Sequence, residues 1–544
     1  MSTTLSTNMS LINQIHLIFS HHKNLVNMHK QITLFISTLF LFSLSLSSQE
    51  YIDKALKTIN RNSLEAELTF LSSNWFEGRE ATTKGAFMTA DYLTSLYQSI
   101  GISAFDDDSY FQDVPLLVAH QPKEATITFH SKNQSRTFSF PTHLRAERVA
   151  QSYSINSEII WGGYGINHQQ LQNINPKKSS GKVLIRLSGL PKTEEGSALD
   201  ILMKSKSSQE WNQIKNSTLK DAGIAAVLEY DLKNPYLEES YYDAPTIKAE
   251  SEKELSKRSS GIYKKSLFLQ DEPKNGPYYY KVSKLMMNEL IPDSDTFLDK
   301  YLSQLQSLSV KDRPSLNYTS AKLSTKANVE AKKCRNVIAV IKGSEKPNEI
   351  IVVGAHYDHL GSYDGYIWNG ADDNGSGAIG VVAIARAFMA TGIQPKRTVI
   401  FANWTAEERG LFGSRFFVNS FKDIDKVKYY HNYDMIGRSY NYERPDSAVS
   451  LLYTKSWKQA ENLCRQHNKE FNLGLKINYS AWDNPTSGSD NAPFAKKGIP
   501  IMWFHTGGHE SYHMPSDHVD RIDWQKFEAI VKTSFLTLWD LANE

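Results

Sequence analysis

Cysteine is scarce in this sequence. Its 544 residues include only two cysteines, Cys334 and Cys464. Neither belongs to a Cys-x-x-Cys or Cys/His spacing of the kind that binds zinc, so a metal site built on thiolates is excluded. The sequence does not give the distance between the two Cα atoms, so whether these thiols form a disulfide stays open at this point.

The chain also lacks an excess of charge of either sign. Lysine and arginine number 61 and aspartate and glutamate number 59, which gives a formal net charge of +2. No basic block with interleaved aromatic residues occurs, so the charge pattern does not favour a nucleic acid or an anionic membrane as a partner. With 40% hydrophobic and 22% charged residues, the composition is typical of a globular protein.

The apolar run at residues 32–46 is short for a membrane-spanning helix, which needs about 20 apolar residues, and serines interrupt it. A basic start after Met28 and small residues at the end of the run make residues 28–48 typical of a secretory signal peptide. We therefore expect translation to start at Met28 and the protein to be exported, periplasmic or extracellular. No stable membrane span is expected after cleavage, and an uncleaved membrane anchor is the alternative.

The spacing of apolar residues changes twice along the rest of the chain. Residues 51–110 have helical spacing, whereas residues 111–325 contain short β-rich runs separated by glycine, proline, asparagine and serine. From residue 330 to residue 544, strand and helix patterns alternate. This predicts an α/β fold, with a mostly parallel mixed sheet sandwiched by helices and a separate β-rich domain inserted at 111–325.

Acids and histidines follow the predicted strands of the alternating part. In open α/β sheets, ligands bind outside the carboxyl ends of the strands. The residues in such positions are His356, Asp358, Asp372, Asp373, Glu407, Glu408, Asp434, His513 and Asp517. Taken singly, each has an ordinary structural explanation, but together they predict a metal site at one edge of the sheet.

The adjacent acids can be explained in two ways. Asp372, Asp373 and Asn374 precede a predicted helix, and Asp and Asn at such positions could cap its free amides. Glu407 and Glu408 could form a surface pair that the helix dipole favours. Alternatively, one member of each pair binds a metal while the other caps the helix or faces the substrate. His359 lies close to the first predicted ligand, but it could equally be a loop residue.

Five motifs occur in order over roughly residues 330–544: G-A-H-Y-D-H-L-G, N-G-A-D-D-N-G-S-G, T-A-E-E-R-G-L-F-G-S, N-Y-D-M-I-G and Y-H-M-P-S-D. In these motifs the chain resembles the co-catalytic di-zinc exopeptidase family, which includes bacterial leucyl aminopeptidases and glutamate carboxypeptidase II. The stretch G-R-E-A-T-T-K-G, in the helical N-terminal part, also resembles members of this family. The β-rich insert, with G-K-V-L-I-R-L and L-K-D-A-G-I-A-A-V-L-E-Y, is similar to a protease-associated domain.

The resemblance implies a set of metal ligands. Asp372 would bridge two metal ions, His356 and Asp434 would complete one site, and Glu408 and His513 would complete the other. Imidazole and carboxylate ligands suit Zn²⁺, although Co²⁺ or Mn²⁺ could also bind. Two Zn²⁺ ions would be balanced by three carboxylates and a bridging hydroxide, so we expect two Zn²⁺ per chain.

The resemblance also implies catalytic roles. Glu407 would be the general base that takes a proton from metal-activated water and passes it to the leaving amine. Asp358 would be the partner that orients His356. Tyr512 matches a tyrosine that stabilises the tetrahedral intermediate in some members. In the same histidine-rich tail, His509 is the alternative to His513 as a ligand.

The expected function is therefore a secreted di-zinc aminopeptidase that acts on peptides or proteins with a free N-terminus. Asp490 and Glu510 are candidate anchors for the terminal amine, although a structural role is equally compatible with the sequence. The alternatives are a carboxypeptidase of the glutamate carboxypeptidase type, a one-metal glutaminyl cyclotransferase and a non-catalytic binding ectodomain. A carboxypeptidase would need an arginine cluster near the metals, which the sequence does not reveal.

Overall fold

The computed structural model of this chain describes residues 50–106, 108–237, 266–270, 272, 274–310, 312–363, 365–439, 446 and 448–544. The predicted signal peptide, residues 28–48, lies outside the described residues. Within the described ranges, no helix combines the length and the apolarity that a membrane span requires.

The secondary structure alternates as the sequence indicates. The helices are α1 (Arg61–Leu71), α2 (Lys84–Ile100), α3 (Pro176–Ser179), α4 (Ala198–Lys204), α5 (Ser208–Asp221), α6 (Lys284–Leu290), α7 (Ser294–Gln306), α8 (Gly377–Ala390), α9 (Phe412–Ser420), α10 (Lys458–Glu470), α11 (Asn491–Lys496) and α12 (Trp524–Asn543). Short 3₁₀ turns cover Asn74–Arg79, Ile424–Lys426 and Val519–Arg521, and a π-helical turn covers Ala371–Ser376.

The strands are β1 (Ser103–Ala104), β2 (Phe111–Ala119), β3 (Glu124–His130), β4 (Ser135–Ser139), β5 (Leu144–Ala146), β6 (Tyr153–Trp161), β7 (Asn167–His168), β8 (Leu171–Gln172), β9 (Val183–Leu187), β10 (Ala226–Tyr230), β11 (Ser266–Leu269), β12 (Tyr278–Val282), β13 (Ser320–Lys326), β14 (Val329–Ile341), β15 (Lys346–His356), β16 (Gly361–Tyr363), β17 (Tyr366–Trp368), β18 (Arg397–Trp404), β19 (Val427–Tyr433), β20 (Ala448–Thr454), β21 (Lys476–Trp482) and β22 (Ile501–His505).

A ten-stranded mixed sheet forms the centre of the part of the chain that contains the predicted site residues. Its order is β11-β2-β14-β18-β15-β19-β22-β20-β21, and β1 pairs with β14. The four central strands, β18, β15, β19 and β22, run parallel to one another, while β14 and β20 are antiparallel to their central neighbours. The prediction of a mixed α/β sheet sandwiched by helices is confirmed.

Helices cover both faces of this sheet. On one face, α1, α2, α8, α10 and α12 enclose a large apolar core that includes Leu68, Tyr97 and Phe388. On the other face, α9 and α11 contribute Phe417 and Phe494 to a second core. Burial on both faces explains why the central strands are apolar throughout rather than alternating.

A second sheet of eight strands, in the order β4-β3-β13-β6-β9-β10-β12-β5, lies within the predicted insert and has its own apolar core. The predicted insert, residues 111–325, does not coincide with this sheet. Strands β2 and β11 fall inside those residues, yet β2 pairs with β14 and β11 pairs with β2 in the ten-stranded sheet. Short β-rich runs look alike in both sheets, so their composition does not reveal which sheet a strand joins.

The two cysteines are unpaired. Cys334 and Cys464 are both free and buried, and they lie in different apolar clusters. Burial raises the pKa of both thiols to about 12, although Thr405 and Thr537 respectively act in the opposite direction. The question of a disulfide, which the sequence leaves open, is therefore answered by two separate structural thiols.

Candidate metal centre

The central parallel strands end at one edge of the sheet, and the polar residues predicted there follow these ends. Strand β15 ends at His356, and β18 leads through Thr405 and Ala406 to Glu407. Strand β19 is followed directly by Asp434. Parallel strands bring their carboxyl ends to the same edge, so these side chains meet although they are far apart in sequence.

A first group of side chains surrounds the Nε2 atom of His356. Asp434 Oδ1 lies 3.5 Å from this nitrogen, Asp373 Oδ1 3.7 Å and Glu407 Oε2 3.9 Å. His356 is 1% exposed, and its Nε2 atom has no hydrogen-bond partner among the described residues. A buried imidazole nitrogen that faces three carboxylates without a hydrogen bond is suited to a cation.

A second group lies on the other side of Asp373. His513 Nε2 is 3.2 Å from Asp373 Oδ2 and 3.4 Å from Glu408 Oε2. His359 Nδ1 is 2.8 Å from Glu408 Oε1 and 3.8 Å from Asp373 Oδ2. His359, which the sequence could not separate from an ordinary loop residue, is thus a buried member of this group.

Asp373 is the acid that the two groups share. Its Oδ1 atom faces His356 and its Oδ2 atom faces His513 and His359. Carboxylates with this arrangement can bind one cation through each oxygen. The acid that faces both groups is therefore Asp373, and not Asp372, to which the resemblance assigned the bridging role.

Asp372 points away from both groups. Its Oδ1 atom accepts hydrogen bonds from the backbone N–H of Gly437 at 2.6 Å and from Ser376 Oγ at 3.0 Å. Its Oδ2 atom lies 3.2 Å from His509 Nε2. Because neighbouring side chains in this turn project in different directions, Asp372 fixes the surrounding backbone while Asp373 reaches the site.

The helix-capping role expected from this stretch belongs to Asn374. Its Oδ1 atom accepts a hydrogen bond from Gly377 N at 3.0 Å and another from Met435 N at 3.2 Å. Its amide group donates to the carbonyl of Tyr433 at 2.8 Å. Asn374 thereby satisfies the start of α8 and ties it to the loop after β19.

Asp358 contacts two site residues, His356 through its backbone carbonyl and Glu407 through its carboxylate. The ring nitrogen Nδ1 of His356 lies 3.1 Å from the backbone carbonyl of Asp358 and 3.8 Å from its carboxylate. The carboxylate instead accepts a hydrogen bond from Glu407 N at 3.0 Å. Asp358 is therefore placed to orient His356 with its carbonyl and to hold the Glu407 loop with its side chain.

Three residues at the site have left-handed backbone angles without being glycine. Ala406, just before Glu407, has a φ of 54°, Met435, just after Asp434, has 58°, and His513 itself has 56°. Such angles cost free energy for residues with a Cβ atom and cluster at functional sites. Their positions next to three predicted site residues indicate that the loops are shaped for these side chains.

The concentration of carboxylates shifts the pKa values of the site. Burial opposes a charge on His356, but Glu407 and Asp434 raise the pKa of its imidazole well above the usual value. Burial raises the pKa of Glu407 well above its usual value. Although burial acts in the other direction, His359 and His513 hold the pKa of Glu408 well below its usual value. The carboxylates of the site therefore stabilise positive charge at and near the imidazoles, as the carboxylates of a cation-binding site do.

The residues of the histidine-rich tail occupy distinct positions. The ring of Tyr512 stacks on that of His513 with centroids 3.9 Å apart, and Tyr512 is 47% exposed. His509 pairs with Asp372, and His505 Nδ1 lies 2.7 Å from the backbone carbonyl of Asp434. Only His513 of the three histidines reaches Asp373, so the alternative ligand His509 is placed outside both groups.

The two candidate amine anchors differ in accessibility. Asp490 is fully buried, with Oδ1 accepting a hydrogen bond from Ser414 Oγ at 2.5 Å and Oδ2 lacking a partner among the described residues. Glu510 is exposed and lies 3.4 Å from Arg521 and 3.5 Å from Arg438. Neither belongs to the two groups around Asp373.

Comparisons with known proteins agree on this part of the chain. The family model of peptidase family M28 matches residues 336–538. Leucine aminopeptidase 2 of Trichophyton rubrum is 34% identical over 222 residues, which cover 39% of this chain and 42% of that protein. A glutamate carboxypeptidase 2 homolog of Caenorhabditis elegans is 31% identical over 212 residues, or 35% of this chain and 26% of that protein. The chain thus matches less than half the length of these relatives.

The solved structures that the comparison found include an aminopeptidase from Aneurinibacillus sp. strain AM-1, at 17% identity and a TM-score of 0.49, covering 90% of this chain and 96% of that one. A zinc aminopeptidase from Bacillus subtilis follows at 17% identity and a TM-score of 0.46, covering 89% and 96%. The family match includes every member of the two groups around Asp373. The stretch that carries the site, residues 336–538, is thus the stretch that is similar to peptidase family M28.

Proposed function

We propose that this protein is a zinc-dependent exopeptidase, and specifically an aminopeptidase. The observation that carries the proposal is the position of Asp373, whose two carboxylate oxygens face separate groups of ligand-type side chains. Glu407 lies beside the first group, 3.9 Å from His356. The name of the Trichophyton rubrum relative, a leucine aminopeptidase, supports the same activity.

The proposed ligands are His356 and Asp434 for one Zn²⁺, Glu408 and His513 for the other, and Asp373 for both. Imidazole and carboxylate groups are ligands that Zn²⁺ accepts readily. The three carboxylates offset most of the charge of two Zn²⁺ ions, which makes burial of such a pair tolerable. His359 is close enough to Glu408 to orient that carboxylate through its Nδ1 atom.

Bound Zn²⁺ would polarise the scissile carbonyl group and make a water molecule more acidic. In our proposal Glu407 takes a proton from the attacking water and gives it to the leaving amine. Burial raises the pKa of this carboxylate, and bound cations would act in the opposite direction. The hydrogen bond from Glu407 N to Asp358 holds the loop that aims this carboxylate.

Tyr512 is proposed to stabilise the developing negative charge of the substrate oxygen. Its ring stacks on His513, and about half of its side chain is accessible. A phenol at the mouth of a site can donate a hydrogen bond to an oxyanion. Burial and the neighbouring carboxylates raise the pKa of Tyr512, so it stays a proton-bearing donor.

A carboxypeptidase is the second candidate, and the arginines near the site argue against it. Arg79 and Arg438 are both fully buried. Arg79 donates to backbone carbonyls, and Arg438 lies 3.6 Å from Asp517. Neither guanidinium is accessible to the terminal carboxylate of a substrate, so a free N-terminus is the better proposal. Asp490, within the buried surroundings of His356 and Asp434, is more suitable as a structural acid than as an amine anchor.

Two further proposals concern the rest of the chain. The pattern at residues 28–48 supports export to the periplasm or the outside of the cell. The eight-stranded sheet that begins at β3 is proposed to be a protease-associated domain, which would shape access to the site rather than take part in the chemistry.

The test is hydrolysis of a small panel of peptides by the zinc-loaded protein: peptides with a free N-terminus, the same peptides with a blocked N-terminus, and peptides ending in glutamate. We expect rapid cleavage of the first set, at least about 100-fold slower cleavage of the blocked set, and loss of activity with a chelator that Zn²⁺ restores. Preferential cleavage of blocked peptides would contradict the aminopeptidase assignment. Cyclisation of N-terminal glutamine with one zinc per chain would favour the cyclotransferase instead.

A further inference from the structure

The 3₁₀ turn at Asn74–Arg79 lies directly against the loops of the metal centre. Gly78 has a φ of 70°, and a Cβ atom there would come within 2.3 Å of the carbonyl oxygen of Gly361 and 2.6 Å of that of Trp368. Only glycine permits this close approach of two backbones. The turn is thereby held against the β16–β17 hairpin, and the next side chain, Arg79, enters the protein interior.

Arg79 makes hydrogen bonds to two loops that carry site residues. Its Nε atom donates to the carbonyl of Tyr357 at 2.7 Å. Its two terminal nitrogens donate to the carbonyls of Asn369 at 2.5 Å and Gly370 at 2.8 Å. Tyr357 lies between His356 and Asp358, and Gly370 precedes the turn that contains Asp373. One guanidinium therefore joins the loop after β15 to the loop before α8.

The same stretch contacts the site loops at two more points. The carbonyl oxygen of Arg79 accepts a hydrogen bond from His359 N at 3.3 Å. Glu80 forms an ion pair with Arg409, with 2.8 Å between the charged atoms. Arg409 follows Glu407 and Glu408 in the loop after β18. Residues 79 and 80 thus bind three loops that deliver groups to the site.

The charge of Arg79 also belongs to the site. The side chain is fully buried, and its electrostatic partners include Asp517, Asp373, Asp358 and Glu408. Burial lowers the pKa of the guanidinium to about 10 while these carboxylates act in the opposite direction, so the group stays charged at neutral pH. A substrate cannot reach a fully buried side chain, so any effect of Arg79 must act through the groups it holds.

We propose that Arg79 is a positioning residue of the metal centre, which fixes the spacing between His356 and Asp373 by holding the backbones of both loops. The proposal rests on the function proposed above, because it assigns Arg79 a role in positioning the ligands of a metal site. It also implies that the M28 match at residues 336–538 is not a complete site. The supporting side chain, Arg79, lies some 250 residues before the start of this match, about three quarters of the distance from residue 336 back to residue 1.

Lysine cannot take this role. Arginine offers donors in a rigid planar fork, and three of its nitrogens are used here on three carbonyl oxygens. A lysine ammonium retains the charge but is a single point that cannot reach both loops in the same geometry. Arg79→Lys therefore removes the link between the loops while it keeps the buried charge and most of the volume.

The test compares Arg79→Lys with a matched control, Arg186→Lys. Arg186 is also a buried arginine, but it pairs with Glu229 in the eight-stranded sheet, away from the site loops. For each purified protein, zinc affinity is measured by competition with a chromophoric chelator, and kcat and KM are measured on a peptide with a free N-terminus. Thermal unfolding and backbone hydrogen exchange are measured on the metal-free proteins.

We expect Arg79→Lys to bind zinc at least about 10-fold more weakly, the size typical of lost support for metal ligands. The value of kcat should fall more than KM rises, and exchange should accelerate in residues 356–361 and 369–375. Arg186→Lys should show neither change, even where it lowers the unfolding temperature as much. Zinc affinity and loop exchange in Arg79→Lys equal to those of the control would overturn the proposal. If the wild-type protein binds no zinc and cleaves no peptide, the proposed function is wrong. Loop exchange in the metal-free proteins tests the positioning role separately, and an exchange rate in Arg79→Lys equal to that of the wild-type protein would contradict that role.

Discussion

At the scale of single residues, the proposed site depends on which of two neighbouring aspartates faces both groups of ligand-type side chains. Asp373 lies between the His356 group and the His513 group, whereas Asp372 is engaged by Gly437, Ser376 and His509. The two acids are chemically identical and adjacent. The backbone path of the turn therefore decides which acid faces both groups and which one accepts hydrogen bonds from the surrounding loops.

This assignment gives a direct prediction. Asp373→Asn should lower zinc binding at both positions and reduce kcat/KM by about 1,000-fold or more, because one variant removes a charged ligand from each ion. Asp372→Asn should retain about two zinc ions and lose less activity, since an amide can still accept from Gly437 N and Ser376 Oγ. Zinc content by elemental analysis and kcat/KM on one peptide decide between the two acids. Full zinc loading in Asp373→Asn together with loss of zinc in Asp372→Asn would restore the assignment to Asp372.

The sequence predicts most of the residues of this site, but not all of their positions. His356, Glu407, Glu408, Asp434 and His513 were expected as site residues because they follow predicted strands or match family motifs, and the structure brings them together. Their roles as ligands and base remain proposals. Asp373 and Arg79 could not be assigned from the pattern, because the direction of a side chain within a turn, and contacts between distant segments, depend on the folded backbone.

At the scale of elements, strand β19 packs in the apolar cores on both faces of the sheet and leads directly into Asp434. Tyr433 packs in the apolar core beneath α8 and α12, while Tyr430 contributes to the core on the opposite face. His431 shares the face of Tyr433, because side chains alternate along a strand. Its ring lies 4.5 Å from that of Tyr433 and 5.9 Å from that of Phe504. The sequence shows a histidine in this strand but not that it is a buried core residue.

This buried histidine makes the fold sensitive to acid. Burial lowers the pKa of His431 to about 3, whereas an unfolded histidine titrates near 6.5. Between these values the unfolded state binds more protons, so stability falls as the pH drops from about 6.5 towards 3, by at most about 5 kcal/mol. We expect His431→Phe to reduce this loss.

The measurement is denaturant unfolding of the metal-free protein at several pH values between 4 and 7, with a chelator present so that zinc release does not contribute. Tyr433→Phe is the matched control, because it alters a neighbouring ring in the same core without removing a group that titrates in this range. An equal dependence on pH in the wild-type protein and His431→Phe would contradict the role assigned to His431.

At the scale of the whole molecule, the core around the ten-stranded sheet is assembled from distant parts of the chain. The family match begins at residue 336, but Leu64, Leu68, Leu93 and Tyr97 from the N-terminal helices belong to the same apolar core as α8. Strand β2 also pairs with β14 and shields that edge of the sheet. The sequence predicts the N-terminal helices as part of the peptidase domain, but it does not reveal that β2 and β11 extend the ten-stranded sheet.

A fragment that contains only residues 330–544 should therefore not fold stably. It would expose the face of α8 that packs against α1 and α2, and it would leave β14 with an unpaired edge that favours aggregation. Near-ultraviolet circular dichroism and binding of a hydrophobic dye, compared with the chain from residue 50 onward, measure this. A soluble fragment with a sharp unfolding transition and native zinc content would show that the N-terminal segment is dispensable.

The central claim is that this carboxylate-rich edge is a hydrolytic zinc site in which Glu407 transfers the proton. The most direct measurement is zinc content together with kcat for Glu407→Gln. The control is Glu65→Gln, because Glu65 is a partly exposed acid on α1 that pairs with Arg61. We expect about two zinc ions in the wild-type protein and in both variants, and a kcat at least about 1,000-fold lower in Glu407→Gln alone. A Glu407→Gln protein that retains its zinc and hydrolyses peptides within about tenfold of the wild-type rate would contradict it.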